Sequence, residues 1–311
     1  MEHLKTEEYK TAREILEKEQ ICYTDIKRYL TGYCHKVYYI KGMDSEYVLR
    51  ISVPEVQENY LGSLEWYPAL HNLGLPVPKI IYNGVYNKHS YTIMTHIKGK
   101  DLGEVYFLLS EDEKLQLAQD IVKIQRTLST IPSKGYYGFS LGKHCDSWAD
   151  VVLQSINRSK KRIIENGIFE ETYCTRVITT LELFTDYFSS IKSIPFLDDI
   201  TTKNVMVHNG KLTGIVDIDG ICYGDSLYTV ALTNMALLNE DFDNKYIDYW
   251  LNEIDATDIQ RKAVLFYTLV FCIDFMGEQG MTFLNGIKVY NEVKINRLKK
   301  IYDTLITQLK K

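Results

Sequence analysis

The sequence predicts an α+β fold in two regions: a small antiparallel sheet with one helix over residues 1–97, then a larger, mainly helical part over 98–311. Short runs rich in Val, Ile and Tyr recur early in the chain, bounded by Gly and polar turn residues, as strands do. From about Asp101 onward apolar residues fall at helical spacing instead. With 311 residues, 45% hydrophobic and 25% charged, the chain can fill a core in each region.

Taken in order, Lys27–Leu30, Val37–Lys41 and Tyr47–Ser52 read as three strands, separated by Thr31–Lys36 and by a turn at Gly42-Met-Asp-Ser. Period-two alternation puts Val48, Arg50 and Ser52 on one face of the third strand and Tyr47, Leu49 and Ile51 on the other. A helix is expected from about Glu55 to Leu73, ended by Gly74-Leu-Pro-Val-Pro78, and two further strands at Lys79–Tyr82 and Tyr91–Ile97. The charged opening, Met1 to Glu8, reads as the start of a helix rather than a secretory leader. In the second region Glu111–Leu128 carries Leu115, Ala118, Ile121, Val122 and Leu128 at near 3.6 periodicity. Further helices are expected at Trp148–Glu165, Glu171–Ser190, Tyr228–Asn239, Asp243–Ile254, Asp258–Met276 and Lys288–Leu309.

The chemistry concentrates between Pro195 and Asp219. Asp199 and Asn204 stand five positions apart in one loop, so a carboxylate can meet an acceptor hydroxyl while an amide oxygen meets a metal ion. Asn209-Gly210 then signals a tight hairpin that brings Val216-Asp-Ile-Asp219 back beside Asn204. Oxygen donors of this kind suit Mg2+ far better than zinc. One Asp and one Asn in a loop usually do no more than cap turns. The hairpin and the second acidic pair are what favour a phosphoryl-transfer site.

Leu197-Asp-Asp-x-x-x-x-Asn204, Gly214-Ile-Val-Asp-Ile-Asp219 and Tyr223-Gly-Asp-Ser-Leu-Tyr228 together resemble the aminoglycoside phosphotransferase and choline kinase superfamily of small-molecule kinases. The resemblance implies a bilobal protein-kinase-like fold with its site where the lobes join, ATP or GTP as phosphate donor, and Mg2+. It makes Asp199 the catalytic base and Asn204 and Asp217 the metal ligands. Asp219 becomes a carboxylate that reaches a second metal or braces the first. In the small lobe it implies a phosphate-covering loop at Gly32, Val48 against the adenine, and Arg50 on the phosphates in the place of the usual lysine. Glu58 or Glu65 is then the carboxylate that orients Arg50. Met94 lies at the back of the base pocket, and the Thr95 carbonyl and Ile97 amide read the base. Two positions depart from the pattern: Leu197-Asp198-Asp199 replaces His-Gly-Asp, and Thr229 replaces an Asp. Asp198 is the alternative base, less favoured because it stands six residues from Asn204. The competing reading is a catalytically weak or inactive nucleotide-binding module of the same fold. A protein kinase is less supported, since the chain lacks a loop with three glycines and a recognisable activation segment.

Composition narrows the partners. The longest apolar stretch, Ala263 to Ile273, is well short of the ~20 residues a membrane-spanning helix needs. Six cysteines without a Cys-x-x-Cys pair argue against a zinc or disulfide framework and fit a reducing, cytoplasmic setting. Net charge is only -5, so no broad field toward nucleic acid is expected, and the basic run Arg158–Arg162 reads as an exposed helix face. From Asp217 to Gln260 Lys245 is the only basic residue among many acids. Helix-start acids account for part of this. An acidic wall would also favour a cationic small-molecule acceptor, with Glu240, Asp241, Asp274 and Glu278 as candidates to hold it. The sequence leaves oligomeric state and acceptor identity open.

Overall fold

A computed structural model describes residues 9–29, 35–282 and 288–310. The chain divides into two compact units, one made of Met1–Lys98 and Gly214–Asp219, the other of Gly99–Thr213 and Gly220–Lys311. Gly214–Asp219, expected with the helical region, groups with the sheet. The reason is local: the Ile215 N–H donates to the Pro76 carbonyl (2.8 Å), and the Ile218 N–H donates to the Tyr67 hydroxyl (3.1 Å).

The first unit opens with α1 (Lys10–Lys18), followed by β1 (Tyr23–Tyr29), β2 (His35–Gly42), β3 (Glu46–Ser52), α2 (Gln57–Asn72), β4 (Ile80–Tyr86) and β5 (His89–Thr95). The strands form one antiparallel sheet in the order β1-β2-β3-β5-β4. Tyr38, Ile40, Leu49, Ile51, Tyr91 and Ile93 from one face pack with Ala12, Ile15 and Leu16 of α1 into a buried cluster. Leu49 and Ile51 fall on this face as the alternation predicted, which leaves Val48, Arg50 and Ser52 on the other. The expected helical start at Met1 to Glu8 and the loop glycine Gly32 lie outside the described residues.

The second unit contains β6 (Lys100–Asp101), α3 (Leu102–Val105), α4 (Glu111–Leu128), β7 (Gly138–Phe139), α5 (Trp148–Asn166), α6 (Thr172–Leu181), α7 (Thr185–Ser190), β8 (Ile194–Phe196), β9 (Val205–His208) and the start of β10 (Lys211–Ile215), whose last two residues belong to the first unit. It continues with β11 (Cys222–Gly224), α8 (Leu227–Asn239), α9 (Lys245–Glu253), α10 (Asp258–Glu278) and α11 (Glu292–Leu309). Capping boxes fix two starts: Ser110 with Glu113 at α4, and Thr257 with Gln260 at α10. α10 is buried nearly all round and packs on α5, α8 and α11. Trp148 meets Phe196, Tyr228 and Tyr267 edge-on, and Gly224 (φ +146°) passes so close to its ring that a Cβ would collide with it. No helix among the described residues is long and apolar enough to cross a membrane.

Candidate active site

The loop between β8 and β9 is held from several sides. At its start Gln125 of α4 donates from Nε2 to the Leu197 carbonyl (2.8 Å) and accepts from the Leu197 N–H at Oε1 (3.0 Å), both bonds buried. Further on, the Thr233 hydroxyl donates to the Ile200 carbonyl (3.1 Å), and the Gly103 N–H to the Thr202 carbonyl (2.8 Å). Within the loop, Asn204 donates from Nδ2 to the Asp199 carbonyl (3.0 Å), and Thr201 donates to Asp199 Oδ1 (3.0 Å). Asn204 is buried and Asp199 is exposed. With its amide nitrogen spent on the loop, Asn204 has Oδ1 left as the atom for a cation. The same turn thus ties the two residues the sequence singled out, one presenting a carboxylate, the other an amide oxygen.

β9 and β10 join through Asn209 (φ +51°) and Gly210 (φ +70°), the paired left-handed residues of a type I′ turn. From Gly214, within β10, the chain enters the first unit, where Asp217 adopts φ +60° and Asp219 turns toward Arg50. Arg50 is 5% exposed. Its Nη2 lies 3.0 Å from Asp217 Oδ1 and its Nη1 2.6 Å from Asp219 Oδ1. Burial works against the guanidinium charge, and Asp217 and Asp219 outweigh it, so the group stays protonated. For Asp219 burial likewise opposes ionisation, but Arg50, His35 and Asn59 hold the carboxyl below its usual range. Neither Nε nor Nη2 of Arg50 is aligned for a hydrogen bond with any described residue. Buried donors in that condition suit an anion brought in from outside.

On the same sheet face Val48 pairs with Met94 across β3 and β5, and Arg50 pairs with Thr92. Met94 is buried and Val48 partly so. After β5 the Thr95 N–H donates to the Lys79 carbonyl (2.9 Å) and the His96 N–H to the Glu46 carbonyl (3.1 Å). Among the described residues no hydrogen bond uses the Ile97 N–H.

Two expectations need correction. Glu58 and Glu65 both lie exposed on α2, and the carboxylates paired with Arg50 are Asp217 and Asp219. What α2 contributes is Asn59, whose Nδ2 donates to Asp219 Oδ2 (2.8 Å). The acidic wall is also largely neutralised. Glu240 pairs with Lys294 (2.7 Å), Asp241 lies 3.9 Å from Arg297, and Asp274 takes Arg162 (3.1 Å), Arg158 (3.4 Å) and the Ser159 hydroxyl (2.9 Å). Glu278 is different. It forms no ion pair among the described residues, and burial, helped by the Asp274 charge, pushes its carboxyl up to about 7.

Sequence reasoning missed Gln125, Asn59 and Tyr67, whose side-chain bonds hold this machinery from helices far away in the chain. Gln125 sits on the apolar face of α4, and a polar residue there was the available signal.

Solved structures of the same fold span almost the whole chain. An aminoglycoside phosphotransferase APH(4)-Ia mutant in ternary complex with AMP-PNP and hygromycin B matches with TM-score 0.65 and 16% identity, covering 95% of this chain and 97% of that one. The ADP-bound aminoglycoside phosphotransferase APH(2'')-Ib gives 0.64 and 17%, covering 96% and 98%. The GDP complex of a mutant aminoglycoside 2'-phosphotransferase-IIIa gives 0.69 and 13%, covering 97% and 96%. No curated protein matches the sequence significantly. The family model described as "Phosphotransferase enzyme family" matches residues 25–261, and the chain belongs to that family as a small-molecule kinase.

Proposed function

We propose that the protein transfers the γ-phosphate of ATP or GTP to a hydroxyl of a small, amine-bearing molecule. The observation that carries this reading is the Asp199–Asn204 turn, which exposes a carboxylate while fixing an amide so that its oxygen is the atom left for a cation. In this reading Asp199 orients the acceptor hydroxyl and takes its proton. The Asn204 oxygen and the exposed Asp217 carboxylate are hard donors that fit magnesium. Magnesium, when bound, neutralises charge on the donor phosphates. Arg50 supplies its two unaligned N–H donors to the same phosphates, a task its planar fork suits. Val48 and Met94 offer the base an apolar surface, and the Thr95 carbonyl and Ile97 N–H its hydrogen bonds.

For the acceptor, the support is chemical and narrow. The solved structures named above are of aminoglycoside phosphotransferases, and Glu278 is the expected acceptor residue that no described Lys or Arg has paired. The test is to incubate the protein with magnesium, ATP or GTP and a panel of aminoglycosides, amino-bearing macrolides, choline and amine-free sugars such as methylthioribose. Mass spectrometry should show phosphate added to an amine-bearing member. Transfer only to amine-free sugars contradicts the acceptor class. Nucleotide binding without transfer to any member contradicts the enzymatic reading and favours a binding module.

A further inference from the structure

Asp217 and Asp219 are both carboxylates beside Arg50, but their surroundings differ. The Asp217 side chain is 55% exposed, and that of Asp219 is 16% exposed. Three elements converge on Asp219: Arg50 from β3 at 2.6 Å, Asn59 from α2 at 2.8 Å, and His35 from β2, with Nε2 3.6 Å away. Oδ1 faces Arg50 Nη1 as an ion pair, and Oδ2 accepts from Asn59 with His35 beside it. A carboxylate so enclosed is poorly placed to reach a hydrated metal ion, which keeps several of its waters.

Arg50 poses the complementary problem. A guanidinium this buried requires an anionic partner at all times, because an unpaired charge away from water is very costly. Asp217 is exposed, and on the reading above it turns to magnesium when nucleotide binds. The donor phosphates then share the Arg50 charge, and a carboxylate that does not leave keeps the guanidinium oriented toward them.

We propose that Asp219 is the positioning residue for Arg50, braced by Asn59, and is not a metal ligand. This rests on the proposed role of Arg50 as the phosphate clamp. Asp219 and Asn59 together then do the work expected of a helix glutamate: the carboxylate comes from the segment after the hairpin, and α2 contributes an amide that fixes its orientation. Asp219 holds Nη1, which leaves Nε and Nη2 to point at the donor phosphates.

The test separates metal from nucleotide. Binding of mant-ADP and mant-GDP to the full chain is titrated in EDTA, and the magnesium dependence of turnover is measured alongside. Asp219→Asn should weaken metal-free nucleotide binding about tenfold while leaving the half-saturating magnesium concentration unchanged. Asn59→Asp placed in that variant, restoring a carboxylate one hydrogen bond removed from the guanidinium, should recover part of the loss. Asn59→Ala alone should weaken nucleotide binding severalfold, which keeps the idea testable if Asp219→Asn does not fold. Intact metal-free binding with a raised magnesium requirement would make Asp219 a metal ligand and overturn the proposal. Arg50→Met distinguishes the other failure: if it binds nucleotide like the parent, the clamp itself is wrong.

Discussion

Gln125 of α4 holds both backbone groups of Leu197, its amide lying against the main chain as a neighbouring strand would. Leu197 stands where the resemblance leads one to expect the His of His-Gly-Asp. The loop therefore has a brace that reaches it from a helix far away in sequence. Removing the amide strands a buried N–H and a buried carbonyl, each costing about 1–3 kcal/mol. Gln125→Ala should lower the unfolding free energy by about 2–6 kcal/mol in urea titrations. Gln125→Glu, which keeps the shape but loses the donor, should be similarly damaged at neutral pH and recover as acid protonates the new carboxyl.

Asp225 predicts a different pH response. It is buried, and it accepts hydrogen bonds from the Tyr187 hydroxyl (2.7 Å), the Tyr267 hydroxyl (2.8 Å) and the Leu227 N–H (3.0 Å). Burial raises its pKa, and these three donors only partly oppose it. A raised folded value means that the stabilisation is fully present below the unfolded carboxyl value of about 4 and is lost as pH rises through the folded value. The advantage of the parent protein over Asp225→Asn should accordingly be smaller at about pH 8 than at about pH 4. Asp225→Ala, which leaves two tyrosine hydroxyls and an N–H without an acceptor, should cost about 3 kcal/mol or more at either pH.

Glu278 makes the same kind of statement near neutrality. Its carboxyl is pushed up to about 7 by burial and then by Asp274, against the pull of Arg162, Lys203 and Arg158. A displacement of that size corresponds to roughly 3 kcal/mol between the two protonation states. Glu278→Gln should gain stability relative to the parent as pH rises from about 5 to about 8, by an amount approaching that figure. Asp274→Asn should pull the Glu278 value down, because it removes a negative neighbour and releases two arginines. If an amine-bearing acceptor binds there, its apparent KM in the parent should fall as pH rises through about 7. Glu278→Gln should flatten that profile.

Much of this fold was legible where the signal is local. α4 begins and ends as expected because Ser110 and Glu113 announce its start and the apolar stripe runs to Leu128. The break between α6 and α7 was not visible. The stretch from Glu171 to Ser190 contains no Gly or Pro, and the 3-10 turn at Glu182–Phe184 occurs where Phe184 stacks on Phe188 and Phe266. In the site, the alternation of β3 correctly put Arg50 on the face opposite Leu49 and Ile51, since side chains in a strand must alternate. The partners of Arg50 were misread because its carboxylates lie far along the chain, and only the turn at Asp217 and Ile218 brings them to it. Charge composition misled in the same way. The acids at Glu240, Asp241 and Asp274 were countable, but the Lys294, Arg297, Arg158 and Arg162 that meet them come from other helices.

The central claim is that Asp199 orients and deprotonates the acceptor hydroxyl. The most direct measurement compares phosphorylated product formed by the parent protein and by Asp199→Asn, with nucleotide affinity measured on both. Turnover should fall about 10²-fold or more while nucleotide affinity stays nearly the same. An Asp199→Asn protein that phosphorylates the acceptor at the full rate would contradict the account.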